Sequence, residues 1–99
     1  MFEGEGVHHV RIWALEGVSL LAPGGRESLE QALRSLPARY PGLRVLGSSI
    51  RTEGMDLTLD LGRSDEDLQR IVQSFKNEAK KLVKPRQEGG LWRWGFEEL

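Results

Sequence analysis

The chain has 99 residues, of which 38% are hydrophobic and 29% charged, with a net charge of −1. That is enough chain for one modest core and too little for two. The composition is neither that of a disordered segment nor that of a membrane protein, whose spans need ~18 apolar residues in a row. Near-neutrality excludes strong nucleic-acid binding over the whole surface, and the absence of cysteine excludes disulfides, thiol catalysis and thiolate metal sites.

The acidic start, Met1-Phe-Glu-Gly-Glu-Gly, lacks the basic and apolar regions of a signal peptide. A single cytoplasmic domain over residues 1–99, with no membrane partner, is therefore expected. Charge is distributed unevenly along it. Residues 70–93 hold seven cations (Arg70, Lys76, Lys80, Lys81, Lys84, Arg86 and Arg93) against Glu78 and Glu88, a local balance of +5.

Residues 7–15 predict the first strand, with Val10, Ile12 and Ala14 on a core face and His9, Arg11 and Trp13 on the other. Gly17, Pro23, Gly24 and Gly25 then lead the chain out of the sheet. Residues 26–36 predict a helix, because Leu29, Ala32, Leu33 and Leu36 follow the i, i+3, i+4, i+7 spacing of one buried stripe, and Pro37 is expected to end it. A second strand is read over 43–51, its alternation imperfect at Leu46 and Ile50. Glu53-Gly54 reads as a tight hairpin turn into residues 52–61. There Met55, Leu57, Leu59 and Leu61 alternate with Asp56, Thr58 and Asp60, the cleanest strand signal in the chain.

Residues 64–83 give the strongest helix signal. Ser64 is placed to cap it, and Asp65, Glu66 and Asp67 complement the positive end of its dipole. Leu68, Ile71, Val72, Phe75, Ala79, Leu82 and Val83 form one apolar stripe, and Lys76, Lys80, Lys81 and Lys84 are read as lying off it. Pro85 and Gly89-Gly90 end the helix, and residues 91–96 predict a last, aromatic strand.

The order strand, helix, strand, strand, helix, strand is the ferredoxin-like pattern, an α+β sandwich whose antiparallel sheet has both helices on one face. The open face would carry His9, Arg11, Trp13, Asp56, Thr58 and Asp60. His8 and His9 are adjacent on a strand and point to opposite faces, so they cannot jointly hold a metal. Asp56 and Thr58 share a face about 7 Å apart by strand rise, but a carboxylate beside a neutral hydroxyl is a weak ligand pair. The basic run from Lys76 to Arg86 has the charge for phosphate contacts, and Trp92 and Trp94 either stack on bases or pack in the core.

Several phrases occur together in this order: His8-His9-Val10; Leu-Arg-Ser-Leu-Pro-Ala-Arg-Tyr at 33–40; Leu43-Arg-Val-Leu46; Ile71-Val-Gln-Ser-Phe-Lys76; and Leu91-Trp92 with Gly95-Phe96. In order and spacing they resemble the single-tyrosine transposases of the HUH nuclease family, including the repeat-associated tyrosine transposases. The resemblance implies a strand bearing two metal-binding histidines and a later helix bearing a nucleophilic tyrosine. The two histidine positions fall on Asp56 and Thr58, and the tyrosine helix would begin after Phe96. No residue is carried over as catalytic or metal-binding, and no cofactor is implied.

The leading expectation is a degenerate, truncated transposase-like domain, not an enzyme. It would form a homodimer and bind structured or single-stranded DNA through Lys76, Lys80, Lys81, Lys84 and Arg86. The alternative is a dimeric ferredoxin-like module that binds a small ligand or protein partner on its open face, with no nucleic-acid role. Metal chemistry at Asp56 and Asp60 ranks last.

Overall fold

Strict alternation of apolar side chains builds the centre of the sheet. In this computed structural model, which describes residues 6–62, 67–83 and 90–99, β1 spans Val7–Trp13 and β3 spans Gly54–Asp60. They pair antiparallel with Val10 opposite Leu57 and Ile12 opposite Met55. These four side chains, with Leu59 and Ala14, are buried on one face. Helices α1 (Gly25–Arg39) and α2 (Leu68–Val83) close that face with Leu29, Ala32, Leu33 and Leu36 from the first and Ile71, Val72, Phe75 and Ala79 from the second. The edge strands are β2 (Arg44–Ile50) and β4 (Glu97–Glu98), giving the order β2-β3-β1-β4 with every pairing antiparallel. This is the expected ferredoxin-like sandwich.

Several boundaries differ from the expectation, each for a physical reason. Helix α1 runs through Pro37 to Arg39. A proline this close to the end removes few ladder bonds, and the final turn is held by the Tyr40 N–H donating to the Leu36 carbonyl at 2.9 Å. The imperfect alternation of β2 is a bulge between Val45 and Gly47, which leaves Leu46 out of the ladder and exposed. The hairpin turns at Thr52-Glu53, not Glu53-Gly54: Ile50 pairs with Met55, and the Arg51 N–H donates to the Gly54 carbonyl at 2.8 Å. Gly54 belongs to β3, where a Cβ would lie 2.7 Å from the Ile12 carbonyl oxygen and force the two central strands apart.

The start of α2 is capped by Asp67, whose Oδ1 accepts from the Arg70 N–H at 2.9 Å. Ser64, Asp65 and Glu66 lie outside the described residues, as do Lys84, Pro85, Arg86 and Gly89. The loop between β1 and α1 contributes Leu20 to the core, anchored by its N–H to the Thr52 carbonyl at 2.8 Å. The aromatic strand expected over 91–96 is the largest difference. Trp92 makes a single bridge to Ala14, and regular pairing with β1 resumes only at Glu97.

Candidate functional site

The side chain that meets the chain at that interruption is Lys76. It lies four residues after Val72 and next to Phe75, on the apolar stripe rather than off it, and is 5% exposed. Its ammonium donates to the carbonyls of Arg93 and Gly95, both at 2.8 Å. Burial pushes the Lys76 pKa down. The contact ties the carbonyls of Arg93 and Gly95 to α2, while the Arg93 N–H still donates to the Trp13 carbonyl of β1 at 2.9 Å. Trp92 is fixed by the same helix: its indole N–H donates to the Lys76 carbonyl at 3.1 Å, and its ring lies 6.0 Å from that of Phe75. Trp94, two residues on, is fully exposed. One tryptophan therefore packs and the other does not.

The open sheet face carries the side chains that strand alternation assigned to it. Asp56 is clasped by two guanidinium groups. Arg11 donates from Nε to Oδ1 at 2.8 Å and from Nη2 to Oδ2 at 3.2 Å. Arg51 donates from Nη1 to Oδ2 at 3.1 Å and from Nη2 to Oδ1 at 3.2 Å. These bonds, first that to Arg11 and then that to Arg51, lower the Asp56 pKa to about 2. The same bond to Asp56 raises that of Arg11, whose guanidinium also lies 5.8 Å from the centre of the Trp13 ring. Beside the clasp, His9 Nδ1 and Thr58 Oγ1 are hydrogen-bonded at 3.2 Å. Asp60 accepts from the Gly62 N–H at 2.9 Å and faces Arg44 at 3.6 Å.

Asp56 and Thr58, the positions onto which the resemblance lays two metal-binding histidines, are thus committed to partners within the chain. A cation at Asp56 would first have to displace two guanidinium groups. His8 pairs with Glu98 at 2.5 Å, apart from the bond His9 makes to Thr58. Among the described residues no group of three or more His, Asp or Glu side chains is placed to share a metal ion.

The cationic side chains of α2 divide in two. Lys76 is internal, whereas Lys80 and Lys81 are exposed. Lys81 also lines an open polar groove of about 590 Å³ between the end of α1 and the outer face of α2, together with Arg39, Tyr40 and Arg70. Arg39 crosses between the helices, donating to Ser74 Oγ at 3.2 Å and Glu78 Oε1 at 2.8 Å. Its place beside α2 had no signal in the sequence, since its partners lie 35 and 39 residues away.

No family model matches this chain, and no curated protein matches it. Solved structures do. One is a REP-associated tyrosine transposase bound to a REP hairpin, with a TM-score of 0.76 and 16% identity over 95% of this chain and 55% of that one. Another is a candidate transposase from Deinococcus radiodurans R1, with a TM-score of 0.75 and 16% identity over 94% of this chain and 76% of that one. The chain spans about half the length of the hairpin-bound transposase. No helix of the described residues is long and apolar enough to cross a membrane. The resemblance read from the sequence holds at the level of the fold, which this chain shares with these two transposases.

Proposed function

We propose that this domain binds structured DNA without cleaving it, as a homodimer. The observation that carries the reading is the clasp on Asp56. On the face where the resembled family holds its metal, Asp56 is bonded to both Arg11 and Arg51, and among the described residues no group of three or more His, Asp or Glu side chains is placed to share an ion. Binding is then left to the basic end of α2. Lys80 and Lys81 are exposed there, and Lys84 and Arg86 continue the same run in sequence. Lys76, read from the sequence as a fifth contact, is buried and donates to the carbonyls of Arg93 and Gly95, so it is not part of that surface. The likeness to a transposase bound to a hairpin favours a hairpin as the DNA form. For the homodimer, β2 supports an association along its free edge, where Leu46 is exposed.

A mobility-shift assay with a DNA hairpin at low salt tests this. A retarded species is expected, weakened by Lys80→Glu with Lys81→Glu and unaffected by a chelator, with no cleaved product when magnesium or manganese is added. Absence of a shift at micromolar protein overturns the reading in favour of a ferredoxin-like module with no nucleic-acid role. Sedimentation equilibrium checks the dimer.

A further inference from the structure

Trp94 stands in water while the residues on either side of it are tied down. The carbonyls of Arg93 and Gly95 both accept from the Lys76 ammonium, and Gly95 takes a left-handed turn at φ +70° immediately after the indole. Burying a charge and exposing an indole both oppose stability. The fold does both at one point, and the outcome is a rigidly based aromatic plate.

That plate borders a cavity of about 220 Å³, lined by Gln69, Val72, Gln73, Lys76, Trp94 and Phe96. It is smaller than the roughly 300–1,000 Å³ of pockets that hold drug-sized ligands, so its size suits a single ring system. Trp94, Phe96 and Val72 line it with aromatic and aliphatic groups, and Gln69, Gln73 and Lys76 bring polar groups to it from α2. Two of the three Lys76 N–H donors are used by carbonyls, which leaves one for a ligand acceptor. Gln73 donates to Asn77 at 3.0 Å and keeps its carbonyl oxygen as an acceptor, and Gln69 adds both functions.

We infer that this cavity takes one unpaired nucleobase, stacked on Trp94 with its polar edge toward Lys76, Gln69 and Gln73. A base satisfies each wall at once, having a π-face for the indole and a mixed donor and acceptor rim for the ammonium and amides. A base paired in a duplex has that rim occupied and its faces covered, so it does not enter. The inference rests on the nucleic-acid reading above and adds to it a second contact distinct from the phosphate-facing lysines. Trp94 and the cavity are the base-binding site, and Lys76 is also a positioning residue for the indole.

The test is titration of the whole chain with thymidine monophosphate, a short oligothymidylate and a blunt duplex, read by tryptophan fluorescence and by anisotropy of labelled DNA. The expected result is quenching by the oligothymidylate and an affinity loss of about tenfold in Trp94→Ala, with duplex binding unchanged and Trp94→Phe restoring part of the loss. Because Trp94 is fully exposed, these variants keep the fold. Saturation by the mononucleotide with the same Trp94 dependence assigns the site to a free nucleotide, and binding of the oligomer alone assigns it to a base within a strand. Trp94→Ala binding the oligomer as tightly as the unaltered chain, while Lys80→Glu with Lys81→Glu weakens it, overturns the cavity and leaves the nucleic-acid reading standing. Failure of all three ligands to bind overturns the cavity, and failure of the DNA hairpin to bind as well overturns both.

Discussion

Asp56 receives four hydrogen bonds from two forked guanidinium groups, an arrangement that fixes the carboxylate in its charged form. The folded chain lowers its pKa from 3.8 to about 2, so protons bind the unfolded chain more readily over that interval. The stabilisation is therefore fully present above the unfolded value and is lost as pH falls through about 2. A full conversion of the shift overstates its worth, because the carboxylate is 28% exposed and partly screened. Asp56→Asn is expected to cost about 1–2 kcal/mol at neutral pH and to remove most of the stability change between pH 4 and 2. Urea unfolding of both proteins across that pH range measures it. An unaltered acid limb in the variant would show that the clasp does not carry the pH dependence.

At the scale of elements, legibility depended on whether the deciding partner was near in sequence. The period-two pattern of Met55, Leu57 and Leu59, and the matching Val10, Ile12 and Ala14, assigned the core face of both central strands because alternation is a property of the strand alone. The open-face placement of Asp56 and Thr58 followed for the same reason. Arg51, five residues from Asp56, was within reach of such reasoning, but Arg11, 45 residues away, was not. Lys76 shows the limit more sharply. It reads from the sequence as lying off the stripe because a lysine is seldom buried, and only carbonyls 17 and 19 residues later reveal what satisfies its charge inside. The segment just before the short β4 is the one that this contact ties down. Lys76→Met should therefore leave α2 intact and release the following segment, since hydrogen bonds from a charged donor contribute ~1.5–3 kcal/mol. Hydrogen exchange at the Arg93 and Leu99 amides, which bond to the Trp13 and His9 carbonyls, is expected to quicken about tenfold or more, with the Phe75 amide unchanged. Equal quickening at all three sites would mean that the substitution loosens the whole core.

For the molecule as a whole, a net charge of −1 hides two faces of different character. On the sheet side, Asp56 lies between Arg11 and Arg51, Asp60 faces Arg44, and Glu97 supplies a second negative charge near Arg11. On the helix side, Lys80 and Lys81 are exposed, and Lys84 and Arg86 follow them in sequence. With DNA bound as proposed, through Lys80, Lys81, Lys84 and Arg86, about one counterion is released per phosphate neutralised, so the logarithm of affinity should fall against the logarithm of salt with a slope of about −3 to −4. Binding is then readily measurable near 50 mM salt and weaker by about a hundredfold at 200 mM. Neutralising two of the cations in Lys80→Gln with Lys81→Gln should reduce the slope to about −2. Asp56→Asn, which alters only the sheet side, should leave the slope where it was despite freeing two guanidinium groups from their counter-charge. Anisotropy titrations of a labelled hairpin over that salt range decide between the faces. If the slope responds to the change at Asp56 and not to those at Lys80 and Lys81, the phosphates lie on the sheet, and the basic end of α2 is only a solvated helix terminus.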